Sequence, residues 1–455
     1  MGGFGRSNFY DSGDNRLGML ILLFNLTILT SMKRLTGLLT LISLLLGTNV
    51  FGQVIEDKVY KDHIQSVRLF PMGETTGSQL DAPVVSINGG RPLVLFFDDL
   101  AYDPELYTAK LIHCDADWQQ SALKNNDFLI AYNEFNVQDY DYSVNTRIPY
   151  IHYEFKVPRV TKSGNYVVKV YRRRDESEVI LTKRFMVYED LLTVGAAVVP
   201  PTQTAGRRGL QQVNTIVNYS KVDVTSPETQ IKIVVRQNQR WDNAKFLSKP
   251  TFMNQSTKVL RYEDFDGDNT FDAGNEFRFI DLRFMRARGQ NIASMRVEED
   301  AVFGETLPMN PRPTEAYSQY LDLNGQYIVD NNDRPGGDPE VESQYVYMTF
   351  QADIPQSNDP LYLIGALTNW GKTPEAKMEW SDKFNVYQTS MLLKQGWYDF
   401  QLGYLEGDTF VTNTLEGSYF ETENIYEVMV YYRALGSRYD QLVGYVVLQP
   451  NKRRL

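Results

Sequence analysis

Apolar and polar residues alternate with a period of two along most of the chain. RPLVLFFDDL, YTAKLIHC, IHYEFKV, NYVVKVYRR and ILTKRFMVY all follow this pattern, separated by Asp, Asn, Gly and Pro clusters. A period of two sorts side chains onto the two faces of a strand, and the intervening residues are turn formers, so residues 53–190 are predicted to form a β-sandwich. A second set, TVGAAVVP, QVNTIVNYS, QIKIVVRQN, TKVLRY and FRFIDLR, with QYLDLNGQYI near its end, predicts another β-domain over 191–335. DNNDRPGGDPEVES, residues 330–343, is polar and rich in turn residues and reads as a linker. After it, YVYMTFQ, LYLIGAL, VYQTSMLL, WYDFQLGY, YEVMVYYR and YDQLVGYVVL predict a third sandwich over 336–455. No unit repeats, which argues against a propeller or solenoid. The expected fold is all-β, with three consecutive sandwich domains of Ig-like or early-set type. The 29 Tyr and 24 Phe suit pleated, half-buried surfaces.

The N-terminus breaks the pattern. In SMKRLTGLLTLISLLLGTNVFGQ, Lys33 and Arg34 precede an apolar run from Leu35 to Leu46, and Val50, Phe51 and Gly52 end at a small residue. This order reads as a cleaved signal peptide, with the mature chain starting near Gln53. The run is too short to span a bilayer comfortably. A second apolar run, Leu17 to Leu29, lies upstream. Residues 1–31 are therefore read as an over-called start with Met32 as initiator; the alternative is two apolar segments tethering the chain to a membrane. No cysteine lies near the cut, which excludes a lipid anchor there.

Export changes the charge. The full chain carries −11, and residues 1–52 contain Arg6, Arg16, Lys33 and Arg34 against Asp11 and Asp14, so the mature chain is at −13. Such a chain is repelled by nucleic acid and by anionic lipid surfaces. A single cysteine, Cys114, excludes a disulfide framework.

Candidate chemistry is sparse. With three histidines in the chain, His113 beside Cys114 resembles a dyad, but consecutive strand residues point to opposite faces. GALTNWGKT, 365–373, has five residues between its first Gly and Gly-Lys-Thr where a phosphate loop has four. FDGDNTFDAGNEFRFIDLR, 265–283, raises the question of calcium. From Asp264, Asp266 and Asp268 an EF-hand-type loop needs Gly at position 6 and Glu at position 12, and these positions hold Asn269 and Asn275. Glu276 comes one residue late. The stretch reads as an acidic turn with Gly267 and Gly274 supplying unusual backbone angles. No catalytic, metal or cofactor residues are assigned.

Two resemblances add to this. LYLIGALTNWGKTPEAKMEW followed by GWYDFQLGY resembles the early-set sandwich of glycogen- and starch-binding modules. The family's Gly-x-Phe-x-x-Trp segment falls on Gly365 to Trp370, and its Tyr-Lys-Phe on Tyr398, Asp399 and Phe400. The resemblance implies sugar stacking on Trp370, but Asp399 stands where the sugar-binding lysine belongs, and the second stacking Trp falls near Phe410.

The wider resemblance rests on HCDADW (113–118), SVNTRIPYIHYEFKVP (143–158), SGNYVVKVY (163–171) and GNEFRFIDLR (274–283), in that order. Together they are similar to the plug proteins of the Bacteroidetes type 9 secretion system, over essentially all of 53–455. The resemblance implies a periplasmic, all-β, non-enzymatic protein. Its partner would be the large outer-membrane β-barrel translocon, whose pore it closes between transport events, without itself inserting into the membrane. The competing expectations are a periplasmic or surface glycan-binding protein using Trp370, and an enzyme of unrecognised type.

Overall fold

The computed structural model describes residues 1–3, 53–202, 207–247, 249–263 and 266–452. The predicted signal segment, the upstream apolar run and Asp264 lie outside the described residues. Met1–Gln53 and Val54–Leu455 are separate units, and the architecture below is that of the second. Among the described residues no helix is long and apolar enough to cross a membrane.

The fold is all-β. In the first sandwich one sheet runs Lys58–Val59, Val179–Tyr188, Gly164–Arg172, Tyr107–Cys114, Phe135–Val137, with Val84–Ser86 parallel to Val179–Tyr188. The other runs Ile64–Pro71, Leu93–Asp99, Ile151–Lys156, Asp139–Tyr142. Leu95, Phe97, Tyr153, Tyr166, Val168 and Val170 fill the space between them. Alternation explains why NYVVKVY is apolar at neighbouring positions. Tyr166, Val168 and Val170 point into this core, whereas Val167 points outward, with Cys114 and Met186, against Val234, Met429 and Leu442 of the second sandwich. A strand buried on both faces loses the polar half of its pattern.

Sheet membership departs from the expected boundary near 335. The second sandwich pairs Thr193–Val199, Leu210–Asn218, Val259–Tyr262 and Phe252–Asn254 in one sheet. Its other sheet runs Lys245–Leu247, Ile231–Gln237, Tyr426–Tyr432, Gln441–Leu448, with Ile233 opposite Val430. The last two strands, expected in a third domain, therefore complete the second. Conversely, Arg278–Asp281, Val302–Thr306 and Tyr327–Val329, expected in the second, pair with Gly396–Glu406, Tyr345–Ala352 and Gly396–Glu406 respectively. The third body is one ten-stranded sheet around Val346, Phe350, Leu361, Leu363 and Leu402, with eight strands in one hydrogen-bonded path and two more, Tyr327–Val329 and Thr409–Val411, paired to Gly396–Glu406. It is inserted into the second: the chain enters it at 278 and returns at 426.

Segment 330–343 is not a free linker. Pro339–Glu342 forms a helical turn whose N-cap, Asp338, accepts the Glu340 N–H at 2.9 Å, and Glu340 is bound by Arg68 of the first sandwich.

Candidate functional site

The joints between the three bodies hold most of the buried charge. Between the first and third, Arg68 donates to both Glu340 oxygens, at 2.9 and 2.5 Å. Beside it Lys394, fully buried, donates to Asp98 Oδ2 at 2.5 Å and to the Glu340 carbonyl at 2.6 Å. Asp98 is also bonded to His152 Nδ1 and to the Tyr345 hydroxyl, each at 2.7 Å. Burial opposes the Asp98 charge, yet Lys394 and His152 hold its carboxyl down at about 2. Tyr150 donates to the Glu340 and Ser343 carbonyls and lays its ring 4.3 Å from Lys394 Nζ. The motif SVNTRIPYIHYEFKVP thus supplies Tyr150 and His152 to this joint.

HCDADW forms the joint between the first and second bodies. Its turn, with Trp118 at φ +64°, directs the Ala116 N–H to Asp440 Oδ2 at 3.1 Å, while Asp115 accepts the Asp440 N–H at 3.0 Å. Arg433 bridges Asp115 and Asp440 at 2.7 Å each. Trp118 lies under the Arg184 guanidinium (4.6 Å) and edge-on to Trp241 (4.8 Å). Arg236 covers Trp241 at 4.5 Å and makes a buried bidentate pair with Glu427 at 2.7 and 2.8 Å. Stacked guanidinium and indole planes exclude water while satisfying the fixed donor fork of arginine.

GNEFRF is the crossing from the second body to the third. Asn275 Nδ2 donates to the Glu416 carbonyl at 2.9 Å, and Glu416 binds Arg278 and Arg312 at 2.9 and 2.6 Å. Glu276 is fully buried; its Oε1 accepts the Tyr317 hydroxyl (2.5 Å) and the Glu423 N–H (3.2 Å). Its Oε2 meets no donor, and the Asp322 carboxyl lies beside the same side chain. Nearby Asp399 accepts the Leu323 N–H and Trp397 Nε1–H. Burial, with the neighbouring Glu423 charge, raises Glu276; burial, with the Asp399 and Glu276 charges, raises Asp322; and burial pushes Asp399 up to about 7.

The sequence candidates fall as follows. His113 and Cys114 bury into different clusters: His113 bonds Ser121 Oγ at 2.9 Å and packs on Tyr166, whereas Cys114 faces the second sandwich. Burial lowers His113 to about 4 and raises the Cys114 thiol to about 12, so neither is poised for nucleophilic work at neutral pH. In GALTNWGKT, Ala366–Thr368 is a single 3-10 turn, followed by a second 3-10 turn, Pro374–Ala376, and a strand rather than by an α-helix. Asp266 and Asp268 are exposed while Glu276 is sealed inside, and no group that could hold a metal occurs among the described residues.

Asn269 donates to the Val213 carbonyl, so it and Asn275 serve the fold. Trp370 is 9% exposed, roofed by Arg240 at 4.7 Å and edge-on to Phe277, so its face is closed to a sugar ring. That overturns the glycan-stacking expectation. Asp399 is buried, and Phe410 packs on Tyr362. A cleft of about 650 Å³ between the second and third bodies mixes Arg240, Lys245 and Lys372 with Asp242, Asp272 and Asp408. What sequence reasoning missed is the joints: their residues are distant in the chain, and the motifs marked only one side of each.

Residues 64–189 match the model of the first domain of the type 9 secretion system plug protein. The first sandwich is therefore similar to the first domain of a type 9 secretion system plug protein. The chain is also similar to the crystal structure of a hypothetical protein from Parabacteroides merdae, at 26% identity and a TM-score of 0.81. The likeness covers 86% of this chain and 98% of that one, so it extends well past the first sandwich. No curated protein matches the chain. The domain match supports a role in type 9 secretion, in the cell envelope, among other proteins of that system. The family is one of secretion components, not of enzymes.

Proposed function

We propose that the chain is a periplasmic plug that docks on the outer-membrane β-barrel translocon of the type 9 system and seals its pore. The observation that carries this reading is the locking of three sandwiches into one body at the joints that the family-like motifs mark. A wide aqueous pore leaks unless a folded body covers its mouth, and a body that flexes between domains would open gaps. Buried ion pairs with paired geometry suit that task because they fix one relative placement: removing either partner strands a charge in a dry site. A stable seat on the barrel requires at least about 1,000 Å² of buried surface. The test is conductance of the purified barrel in a planar bilayer. Adding the mature chain to the periplasmic side should close the pore; an unchanged large conductance, with the chain present in excess, would end the sealing reading.

A further inference from the structure

The first sandwich is open at one edge. Asp139–Tyr142 is the terminal strand of its sheet, with all four residues exposed. In antiparallel pairing, hydrogen-bonded and non-bonded residue pairs alternate. The Ser143 N–H bonds the Tyr150 carbonyl at 2.9 Å, and the register continues as Tyr142 opposite Ile151, Asp141 opposite His152 and Tyr140 opposite Tyr153. Ser143 and Asp141 therefore bond inward to Ile151–Lys156, and the N–H and C=O groups of Tyr140 and Tyr142 point away from the sheet. Val144 is next in that outward row, and its N–H is already taken by the Val341 carbonyl at 2.8 Å. The row is thus closed at one end by the protein's own Val341 and is open along the rest.

The side chains give the open edge an apolar lip. Phe97 stacks on Tyr153 at 4.9 Å inside the core, Tyr140 lies 5.8 Å from Tyr153, and Tyr142 lies 6.1 Å from Tyr140. The core rings are sealed, whereas Tyr140 and Tyr142 are 40% and 54% exposed, so an aromatic ladder leaves the core and ends in solvent. Glu105, whose N–H and C=O both bond the Tyr153 hydroxyl, brings exposed Leu106 to the same rim. An open edge with exposed rings is a ready template for a further strand unless something covers it.

Charge indicates what covers it. Asp139 and Asp141 lie on the strand and Glu134 precedes it, with no Lys or Arg in residues 125–146, while Asp127 of the same stretch is paired with Arg438. We propose that this edge takes a cationic, extended segment of the docking partner, which adds as a strand beside Asp139–Tyr142 and lays apolar side chains over Tyr140 and Tyr142. Backbone pairing supplies the adhesion and the aspartates set the charge preference, as in other strand-addition contacts. The inference rests on the docking reading above and assigns it a surface.

Two variants of the mature chain test it against the purified barrel. Tyr142→Pro removes an outward N–H while leaving the bonds to Ile151–Lys156, a position where an edge strand tolerates proline. Asp139→Lys with Asp141→Lys reverses the charge of the edge without touching the ladder, and stands if the proline variant fails to fold. With melting temperatures near wild type, each should bind at least tenfold more weakly, and wild-type binding should weaken as salt rises. Wild-type affinity in both variants would overturn the surface and leave docking intact. No binding by the wild type would overturn docking, and this surface with it.

Discussion

Replacing Lys394 by Met keeps the volume of the side chain and removes its charge from a fully buried site. Asp98 is then left with His152 and Tyr345 as partners and no ammonium. At neutral pH the depression of the Asp98 carboxyl from 3.8 to about 2 corresponds to about 2 kcal/mol of stability. Breaking a buried pair by deleting one partner costs about 3–5 kcal/mol, because the surviving charge stays desolvated. At about 2 cal/mol/K per residue, roughly 400 residues melting together lose about 5 °C for about 4 kcal/mol. The sign of the pH effect follows from the depressed carboxyl. Its contribution is complete above about pH 4 and is lost as pH falls through about 2, and this acid limb should flatten in Lys394→Met. Adding Asp98→Asn should recover part of the loss, since removing both charges leaves nothing stranded. Calorimetry across pH 2–7 on wild type, both single variants and the double variant gives the cycle. A Lys394→Met melting point within 1 °C of wild type, or strictly additive single losses, would show that the joint is not held this way.

Other consequences concern the residues singled out by sequence. Glu276→Gln keeps an acceptor for Tyr317 and Glu423 and turns the orphaned oxygen into a donor toward Asp322. Because these carboxyls are raised, the stability they contribute is complete at acid pH and falls as pH rises through their raised range; the variant should melt higher than wild type at pH 8, and an identical pH profile would refute this reading of the pair. Chelator or millimolar calcium should leave the melting point unchanged, since Asn269 and Asn275 are committed to backbone carbonyls; a shift of several degrees would mean a cation site exists. Trp370→Ala should cost about 3–5 kcal/mol, as for other buried aromatics, while wild type should show no retention on immobilised starch; retention that Trp370→Ala abolishes would restore the sugar reading.

Strand patterning was legible because alternation needs only a buried face: YTAKLIHC and NYVVKVYRR predicted the strands that pair as Tyr107–Cys114 and Gly164–Arg172. Partnership was not legible. YEVMVYYR fits either body, because its pattern says that both faces are covered and not by what, so the insertion of the third body into the second escaped the reading. The segment around Glu340 looked like a linker because its polar residues find buried partners from elsewhere in the chain, Arg68 above all. In the acidic turn, the neighbourhood of Glu276 and Asp322 was not legible, since Asp322 lies 46 residues away.

The most direct test of sealing is made in cells. Deleting the chain while the barrel remains should admit large antibiotics or dyes that the intact outer membrane excludes, with secretion only mildly reduced. Deleting barrel and chain together should restore the barrier, because no pore is left to fill. If the double deletion leaks as much as the single one, the chain does not act by closing the translocon.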